Sequence, residues 1–338
     1  MPLDVATLGR LVGGAVLTRT EARDALSSVL DGAVEPLVIA SFLTAMAQRG
    51  ETVEEMAGFV DAMMSASAEA EALPHAMDIV GTGGDRLHSV NISTMAALTV
   101  AACGVPVAKH GNRAASSSVG TADVLEGLGV KIDIDGAGVA ACVREAGMGF
   151  YFAQRFHPGL RHLGPIRRTL GFPTAFNVLG PLANPGQVAT LMIGVANEAM
   201  MSKMAAVLVA RGVQRATLVH SADGLDELSL GTSATLVHVE GSTISTETVD
   251  AGAVLGVRRS VDDIRGGELS VNVGVVNDFV AGQTGSVCDV VTANAGLALV
   301  TAGVAANLVD GYEMARAAVA SGGAAAVLSK LIETSNRF

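Results

Sequence analysis

The stretch MDIVGTGGDRLHSVNISTMAALTVAAC, residues 77–103, has the order of a β-strand, a glycine-rich loop and a helix. The apolar run Met77–Val80 has the length of a buried strand, and the Ala-rich run Met95–Cys103 is typical of a helix. The alternation continues along the chain, with predicted strands at Val105–Ala108, Val130–Ile132 and Thr217–His220. Such alternation predicts an α/β domain with a mainly parallel central sheet.

The residues before this domain, 3–70, predict helices alone. Pro36 suits the first turn of one helix, and two other helices begin with capping-box spacing, at Thr18 with Glu21 and at Thr52 with Glu55. The apolar faces of these helices exceed what three short helices can bury among themselves. The surplus indicates a dimer interface or packing on the rest of the chain.

We therefore expect two domains. The first is a small helical domain over residues 1–71, joined by part of 160–185, and the second is an α/β domain over 72–338. Within the second, residues 232–275 are rich in Thr, Ser, Val and Gly and predict β structure, whereas 288–335 predicts helices.

The composition excludes several classes of protein. The chain has 338 residues, half of them hydrophobic, which supplies a large core and excludes a disordered or collagen-like chain. With 22 basic and 33 acidic residues the net charge is −11. This balance argues against a nucleic-acid-binding protein, although it is compatible with a small local anion site.

The cysteines and the apolar stretches point to the cytoplasm. The three cysteines are far apart and show no CxxC spacing, so we expect neither a disulfide framework nor a structural zinc site. The N-terminal residues lack the pattern of a signal peptide. Two uncharged stretches, 89–108 and 290–309, are interpreted as buried helix and strand rather than membrane spans.

The glycine-rich loop Gly81–Asp85 and the following Asn91–Thr94 indicate an anion site. Glycines let a ligand approach backbone N–H groups, and a helix N-terminus adds partial positive charge, which suits a phosphate or pyrophosphate. The spacing matches neither the GxGxxG nor the GxxxxGK[ST] pattern. A plain strand-to-helix turn is the alternative.

Three further segments follow predicted strands or carry dense charge. Lys109–Ser117 combines Lys, Arg and Ser in an acidic chain, which favours anion binding over a solvated loop. His220–Glu227 holds three carboxylates, which suit Mg²⁺ shared with substrate phosphates, the alternative being an exposed acidic turn. Arg155–Arg168 is the densest basic stretch and suits a carboxylate-bearing substrate, although most of its charges would fit a helix surface equally well.

These segments, in this order, resemble those of the anthranilate phosphoribosyltransferases. The ordered set carries the resemblance and covers nearly the whole chain. Its matching motifs are Gly81–Asp85, Asn91–Thr94, Lys109–Ser117, Arg167–Gly171, Phe176–Pro185 and Asp223–Glu227.

The resemblance implies an activity and a set of ligands. The activity is transfer of phosphoribosyl from phosphoribosyl pyrophosphate (PRPP) to the amine of anthranilate, with Mg²⁺ and release of pyrophosphate, a step of tryptophan biosynthesis. The expected partners are PRPP, anthranilate and a second copy of the chain, bound through the helical domain, with no nucleic acid and no membrane. No side chain is assigned as acid or base, because the aromatic amine is already neutral at pH 7 and the main tasks are neutralising the leaving group and holding the amine in line.

The resemblance also assigns residues. PRPP contacts fall on Gly81, Gly84, Asp85, Ser89, Asn91, Ser93, Thr94, Lys109, Asn112, Arg113, Ser116, Ser117 and Thr121. Mg²⁺ ligands fall on Ser93, Asp226 and Glu227, and anthranilate contacts on Gly81, His110, Asn112 and Arg167. The choice of Arg167 over Arg168 depends on the resemblance alone.

The sequence departs from the family pattern in a few places. Ser118 and Val119 stand where Lys-Ser is common, Ser221 where Gly is frequent, and Ala183 where Thr is common. These departures bear on the pyrophosphate contacts and not on the reaction class.

Three other interpretations fit parts of the sequence. A nucleoside phosphorylase of the same fold is disfavoured by the loop His110–Ser117, which lacks the Ser-Gly-Arg-Gly pattern of those enzymes. A paralogue that uses a different aromatic acceptor is a second alternative. A non-catalytic relative that binds nucleic acid is the third, and the net charge weighs against it.

Overall fold

A computed structural model of the chain describes residues 3–113 and 119–338. Its N-terminal part is a helical bundle, in which Thr18 and Thr52 form the two predicted capping boxes. A further helix, not expected from the sequence, precedes them and is capped by the side chain of Asp4. The bundle helices are α1 (Val5–Val12), α2 (Arg19–Leu30), α3 (Pro36–Arg49) and α4 (Val53–Ser65).

The rest of the described chain is built on a seven-stranded sheet, which confirms the predicted α/β class. The strand order is β3-β2-β1-β4-β5-β6-β7. The first five strands in this order are parallel, and β6 and β7 form an antiparallel edge. The strands are β1 (Met77–Gly81), β2 (Val107–Gly111), β3 (Met148–Phe152), β4 (Thr190–Gly194), β5 (Arg215–Ser221), β6 (Ala234–Glu240) and β7 (Thr243–Val249).

Helices cover the sheet and supply most of its core. They are α5 (Ile92–Ala102), α6 (Thr121–Gly127), α7 (Gly136–Ala146), α8 (Ala153–Phe156), α9 (Gly164–Leu170), α10 (Met201–Ala210), α11 (Ala251–Leu255), α12 (Leu269–Val280), α13 (Ser286–Thr301), α14 (Leu308–Ala320) and α15 (Gly323–Ser335). The almost fully buried α13 packs between α5 and α14. Its Gly296 lies so close to α14 that a Cβ there would stand 2.6 Å from the Tyr312 nitrogen.

Two sequence predictions are wrong. Residues 130–132 form no strand: Val130 and Ile132 are buried, but the segment has no neighbouring strand and instead donates the Lys131 N–H to Ser335 of α15 at 3.1 Å. The predicted β region 232–275 ends at Val249, and helices α11 and α12 follow. Alternating burial suggested the strand at 130–132, and a high Val and Thr content suggested the long β region. Neither pattern shows whether a neighbouring strand is present to pair with.

The bundle is tied to the α/β part by an ionic cluster. Asp61 of α4 accepts hydrogen bonds from Arg19 Nε at 2.6 Å and from Arg211 Nη1 at 2.6 Å. Nearby, Phe59 stacks on Phe176 with ring centroids 6.3 Å apart. Residues near 176 therefore pack directly on the bundle.

None of the helices described is, by itself, long and apolar enough to cross a membrane. The pair α14 and α15 meets that requirement only in combination, and the two helices are bent by 64° relative to each other.

Candidate active site

The loops after β1 and β5 meet at the carboxyl edge of the sheet, beside the start of α5. The Gly83 N–H donates to Asp226 Oδ2 at 2.9 Å, and the Ser93 N–H donates to Glu227 Oε1 at 3.2 Å. Strand order reverses between β1 and β4, where loops leave a crevice suited to ligands. The structure thus brings together the first and third polar segments, which are more than 130 residues apart in the chain.

Two glycines of the loop have backbone angles that other residues rarely adopt. Gly83 and Gly84 have φ angles of 62° and 91°, in the left-handed region. A Cβ on Gly81 would lie 2.8 Å from Asp226 Oδ2, and a Cβ on Gly194 would overlap the carbonyl oxygen of Asp226. The acidic loop therefore rests on two strand ends that carry no side chains.

Helix α5 presents its N-terminus to the same place. Asn91 precedes it and is held by Asn272 Nδ2, which donates to Asn91 Oδ1 at 3.0 Å. Ser93 lies in the first turn, half-buried, and Thr94 beside it is fully buried. The helix dipole at this end favours an anion, and the Ser93 N–H there already donates to the carboxylate of Glu227.

A buried lysine lies beneath the loops. Lys109, 1 % exposed, contacts the Ile79 carbonyl and donates to Ser93 Oγ at 3.2 Å. Burial lowers the pKa of Lys109 to about 8, while the nearby carboxylates Asp78 and Glu227 oppose that shift. Lys109 therefore supports Ser93 and balances the acidic loop from below.

Asp78 is a buried carboxylate whose charge attracts this lysine. It accepts from the His110 N–H at 3.0 Å and from Asn184 Nδ2 at 2.8 Å. Burial raises the pKa of Asp78 to about 6, against the attraction of Lys109. Asp78 thus fixes the end of β2 to β1 and anchors the loop that contains Asn184.

The acidic loop holds two carboxylates that repel each other. Burial first, and then the charge of Asp85, raises the pKa of Asp226. Burial and the charges of Asp226 and Asp85 likewise raise the pKa of Glu227. Asp85 Oδ2 is also buried without a hydrogen-bond partner among the described residues.

A hard divalent cation fits this donor set, since it takes oxygen ligands and would relieve the repulsion. Within residues 3–113 and 119–338, no three His, Cys, Asp or Glu side chains are arranged to hold a metal ion by themselves. A cation here would draw further oxygen ligands from a hydroxyl or from a phosphate.

The third carboxylate of this segment, Asp223, points elsewhere. Its Oδ2 accepts from Ser229 Oγ at 2.7 Å, and the residue is exposed. Ser221, at a position where the family often has Gly, is fully buried and donates to the Glu227 carbonyl at 2.6 Å. Both residues shape the loop rather than face the crevice.

The loop after β2 is only partly described. Asn112 is exposed, and its Oδ1 accepts from Gln154 Nε2 at 3.3 Å. Arg113 turns back to α6, where Nη1 pairs with Asp123 and with Glu126, each at 2.9 Å. The predicted contacts Ser116 and Ser117, together with Ser118, lie outside the described residues.

Two other predicted PRPP contacts flank the crevice. Thr121 is the first residue of α6, close behind Gly111. Ser89 forms an isolated β-bridge with Arg265. Neither side chain takes part in the cluster around Asp226 and Glu227.

The residues predicted for the aromatic acid lie on β2 and α9. Burial lowers the pKa of His110 to about 3, so its ring is neutral, and the ring packs edge-on against His157 at 5.3 Å between centroids. Arg167 of α9 donates to Asn177 Oδ1 at 3.2 Å and stands over Phe176. Arg167 has no carboxylate partner in the part of the chain that the structure describes, and burial lowers its pKa.

Sequence reasoning assigned no role to Asp78, Asn184 and Asn294, although Asn184 lies in the motif Phe176–Pro185. Asn294, on α13, bonds to the backbone of Leu228, next to Glu227. Each is a single polar residue within an otherwise apolar run, and such a residue is a signal because a buried polar group needs a partner. The partner could not be read from the sequence, since it lies 32 to 106 residues away for these groups.

Comparisons with known proteins cover nearly the whole chain. A glycosyl transferase family model for an α/β domain matches residues 73–325, and one for a helical bundle domain matches residues 5–67. The anthranilate phosphoribosyltransferase of Thermomicrobium roseum is 46 % identical over 98 % of this chain and 97 % of its own length. That of Methylobacterium radiotolerans is 44 % identical over 97 % and 95 %.

Solved structures with the same fold also include anthranilate phosphoribosyltransferases. Anthranilate phosphoribosyltransferase from Thermus thermophilus matches with a TM-score of 0.91 and 36 % identity, over 97 % of this chain and 99 % of the other. The Saccharomyces cerevisiae enzyme in complex with PRPP and Mg shares the fold, with a TM-score of 0.90 and 24 % identity over 99 % of both chains.

Proposed function

Because the chain belongs to the anthranilate phosphoribosyltransferase family, we propose that the loops at the carboxyl edge of its sheet hold the two substrates of that enzyme. The enzyme transfers the phosphoribosyl group of PRPP to the amine of anthranilate and releases pyrophosphate, a step of tryptophan biosynthesis. The observation that carries the site proposal is the meeting of Gly83 with Asp226 and of Ser93 with Glu227.

We place PRPP over the glycine loop and the N-terminus of α5. The backbone of Gly81, Gly83 and Gly84 can approach a pyrophosphate closely, and the N-terminus of α5 adds partial positive charge beside it. Ser93 and Thr94 add hydroxyls there. Lys109 is buried below the crevice, so its positive charge would attract the pyrophosphate electrostatically without direct contact.

Ser93, Asp226 and Glu227 would hold Mg²⁺. Two repelling carboxylates and a hydroxyl are oxygen ligands of the kind that this ion prefers, and it usually shares such ligands with substrate phosphates. When bound, the ion neutralises the charge of the departing pyrophosphate. The side chains of Asp226 and Glu227 keep it at the crevice, and Lys109 limits the repulsion while it is absent.

Anthranilate would lie between the end of β2 and α9. Arg167 has no carboxylate partner in the described chain and would pair with the substrate carboxylate. Neutral His110 offers a ring face without competing charge, and Asn112 an amide. In the reaction the bond from ribose C1 to the pyrophosphate oxygen breaks, the amine nitrogen bonds to C1, and one N–H proton is released, so no strong base is needed.

The direct test follows the fluorescence of anthranilate with the purified chain, PRPP and Mg²⁺. A decay that requires all three, stops with EDTA and releases pyrophosphate is expected. Pyrophosphate release only with another aromatic amine would contradict the acceptor. No turnover of PRPP with any amine would overturn the transferase activity.

Arg167→Ala is expected to raise the KM for anthranilate by about 10- to 100-fold, because a charge-assisted bond of roughly 1.5–3 kcal/mol is lost. The KM for PRPP should stay within about twofold, since Arg167 is on another element. Steady-state kinetics with each substrate varied measure both constants.

The matched control is Arg168→Ala, one residue along α9, where the side chain is exposed. It should leave both constants near those of the unchanged chain. Equal effects of the two substitutions, or an unchanged KM in Arg167→Ala, would remove Arg167 from the acceptor site.

We also propose that the helical domain, residues 1–71 with part of 160–185, forms a homodimer interface and that 72–338 carries the chemistry. Exposed apolar side chains on the bundle support the first point: Val5, Val12 and Leu37 are 72–79 % exposed. The stacking of Phe176 on Phe59 supports the assignment of the 160–185 segment.

A further inference from the structure

We infer that Asn294 is a positioning residue for the metal-binding loop, which it holds through the backbone of Leu228. This inference rests on the proposed function, because it takes Asp226 and Glu227 as the metal ligands. The side-chain hydrogen bonds of Asn294 go to the backbone of Leu228 and Val290 and not to the two carboxylates. It acts on the residue that follows Glu227 in the chain.

The contact between Asn294 and Leu228 uses both sides of the amide. The Leu228 N–H donates to Asn294 Oδ1 at 2.9 Å, and Asn294 Nδ2 donates to the Leu228 carbonyl at 3.0 Å. The second Nδ2 hydrogen goes to the Val290 carbonyl at 2.9 Å, within α13. An amide is the side-chain group that can donate and accept at once in this way.

The contact between Asn294 and Leu228 is shielded from solvent. Asn294 is 1 % exposed and Leu228 is fully buried. A buried N–H or carbonyl without a partner is costly, so the loop backbone at Leu228 depends on Asn294. Moving the loop away from α13 would leave three polar groups unpaired.

Helix α13 is a rigid base for this contact. Its Gly296 packs against the backbone of Gly311 and Tyr312 on α14, closer than any larger residue would allow. Asn294 lies two residues from Gly296, so its Cα is fixed by the same packing. The packing of α13 in the protein core therefore fixes the position of the loop.

The loop needs such an anchor because its carboxylates repel each other. Glu227 lies beside Asp226 and Asp85, and its own side chain is held by the Ser93 N–H at 3.2 Å. On the other side, Ser221 Oγ donates to the Glu227 carbonyl at 2.6 Å. With Leu228 anchored to Asn294, Glu227 stays at the crevice whether or not a cation is bound.

The experiment compares Asn294→Leu, which has a similar shape, with Thr292→Val in the same helix. Thr292 is fully buried, and its hydroxyl donates only within α13, to the Cys288 carbonyl at 2.7 Å and to Asp289. Binding of Mn²⁺ alone to the full chain is measured from the electron paramagnetic resonance signal of the free ion. The melting temperature of each variant and its anthranilate kinetics are measured alongside.

We expect Asn294→Leu to weaken Mn²⁺ binding by about 10- to 100-fold, as for other residues that orient metal ligands. Excess Mg²⁺ should restore most of its kcat, and its KM for anthranilate should change by less than about twofold. Thr292→Val should bind Mn²⁺ as the unchanged chain does, even at a similar loss of melting temperature. If Asn294→Leu does not fold, Asn294→Ala, in which water can reach Leu228, is expected to show the same loss.

Two results separate the inference from the function on which it rests. If Asp226→Asn with Glu227→Gln loses Mn²⁺ binding while both Asn294 variants keep it, the role of Asn294 is overturned and the metal loop stands. If the double carboxylate variant binds Mn²⁺ normally, the metal loop itself is overturned.

Discussion

The double variant Asp226→Asn with Glu227→Gln is expected to lose kcat by at least about a hundredfold, since a bound cation contributes several kcal/mol to a charged transition state. In metal-free buffer at neutral pH, the same variant is expected to melt at a higher temperature than the unchanged chain. Burial and mutual repulsion oppose both charges in the folded protein. Neutral amides of the same shape remove that repulsion, so activity falls while stability rises.

The control for this variant is Asp223→Asn in the same loop. Asp223 is exposed and accepts from Ser229 Oγ at 2.7 Å and from the Leu225 N–H at 3.3 Å, and the amide oxygen of Asn can keep the shorter of these two bonds. This variant should keep its Mg²⁺ titration and its melting temperature. A normal Mg²⁺ titration in the double variant would contradict the metal assignment, and a lower melting temperature would contradict the electrostatic argument.

Gly194→Ala is expected to reduce activity by at least about tenfold and to destabilise the fold by about 3 kcal/mol, near the upper end for overpacking a core. The added Cβ would overlap the carbonyl oxygen of Asp226, which is backbone and cannot rotate away. Strand β4 is paired on both sides, with β1 and with β5. The acidic loop must therefore move, and kinetics with a denaturant melt would measure both effects.

Gly274→Ala is the matched control, because a Cβ at this position in α12 meets no atom within 4 Å. It should leave activity unchanged and stabilise the chain by about 0.5–1 kcal/mol, as Ala is the better helix former. If Gly194→Ala behaved like this control, the close contact between β4 and the acidic loop would not be needed for activity or stability.

The sequence predicted the elements that local chemistry determines. The capping boxes at Thr18 and Thr52, the strand before Gly81 and the helix after Asn91 depend on residues close together in the chain, and all are confirmed. The Val130–Ile132 strand is wrong because pairing depends on a distant neighbour. For the same reason the sequence predicted the existence of the β6–β7 region but not where it ends.

The parts of the site that the sequence could not supply are contacts between distant segments. That Arg113 turns to Asp123 and Glu126, and that Lys109 lies buried under Ser93, are results of packing. The motifs predicted which loops meet at the crevice, and the structure brings two of them together there, but the motifs did not predict which side chains face it. Asp78 and Asn294 lie outside every motif and support the loops from behind.

The bond between Asn294 and Leu228 also bears on the order in which the site forms during synthesis. Domains generally fold as units, the N-terminal one first during synthesis, and a parallel sheet with distant contacts forms slowly. All the residues proposed for the substrates and the metal precede residue 228, yet the anchor of the acidic loop is carried by α13, Ser286–Thr301. A nascent chain that ends before this helix has every residue proposed as a ligand but lacks the contact that anchors the acidic loop, so we expect full metal affinity only once α13 has been made.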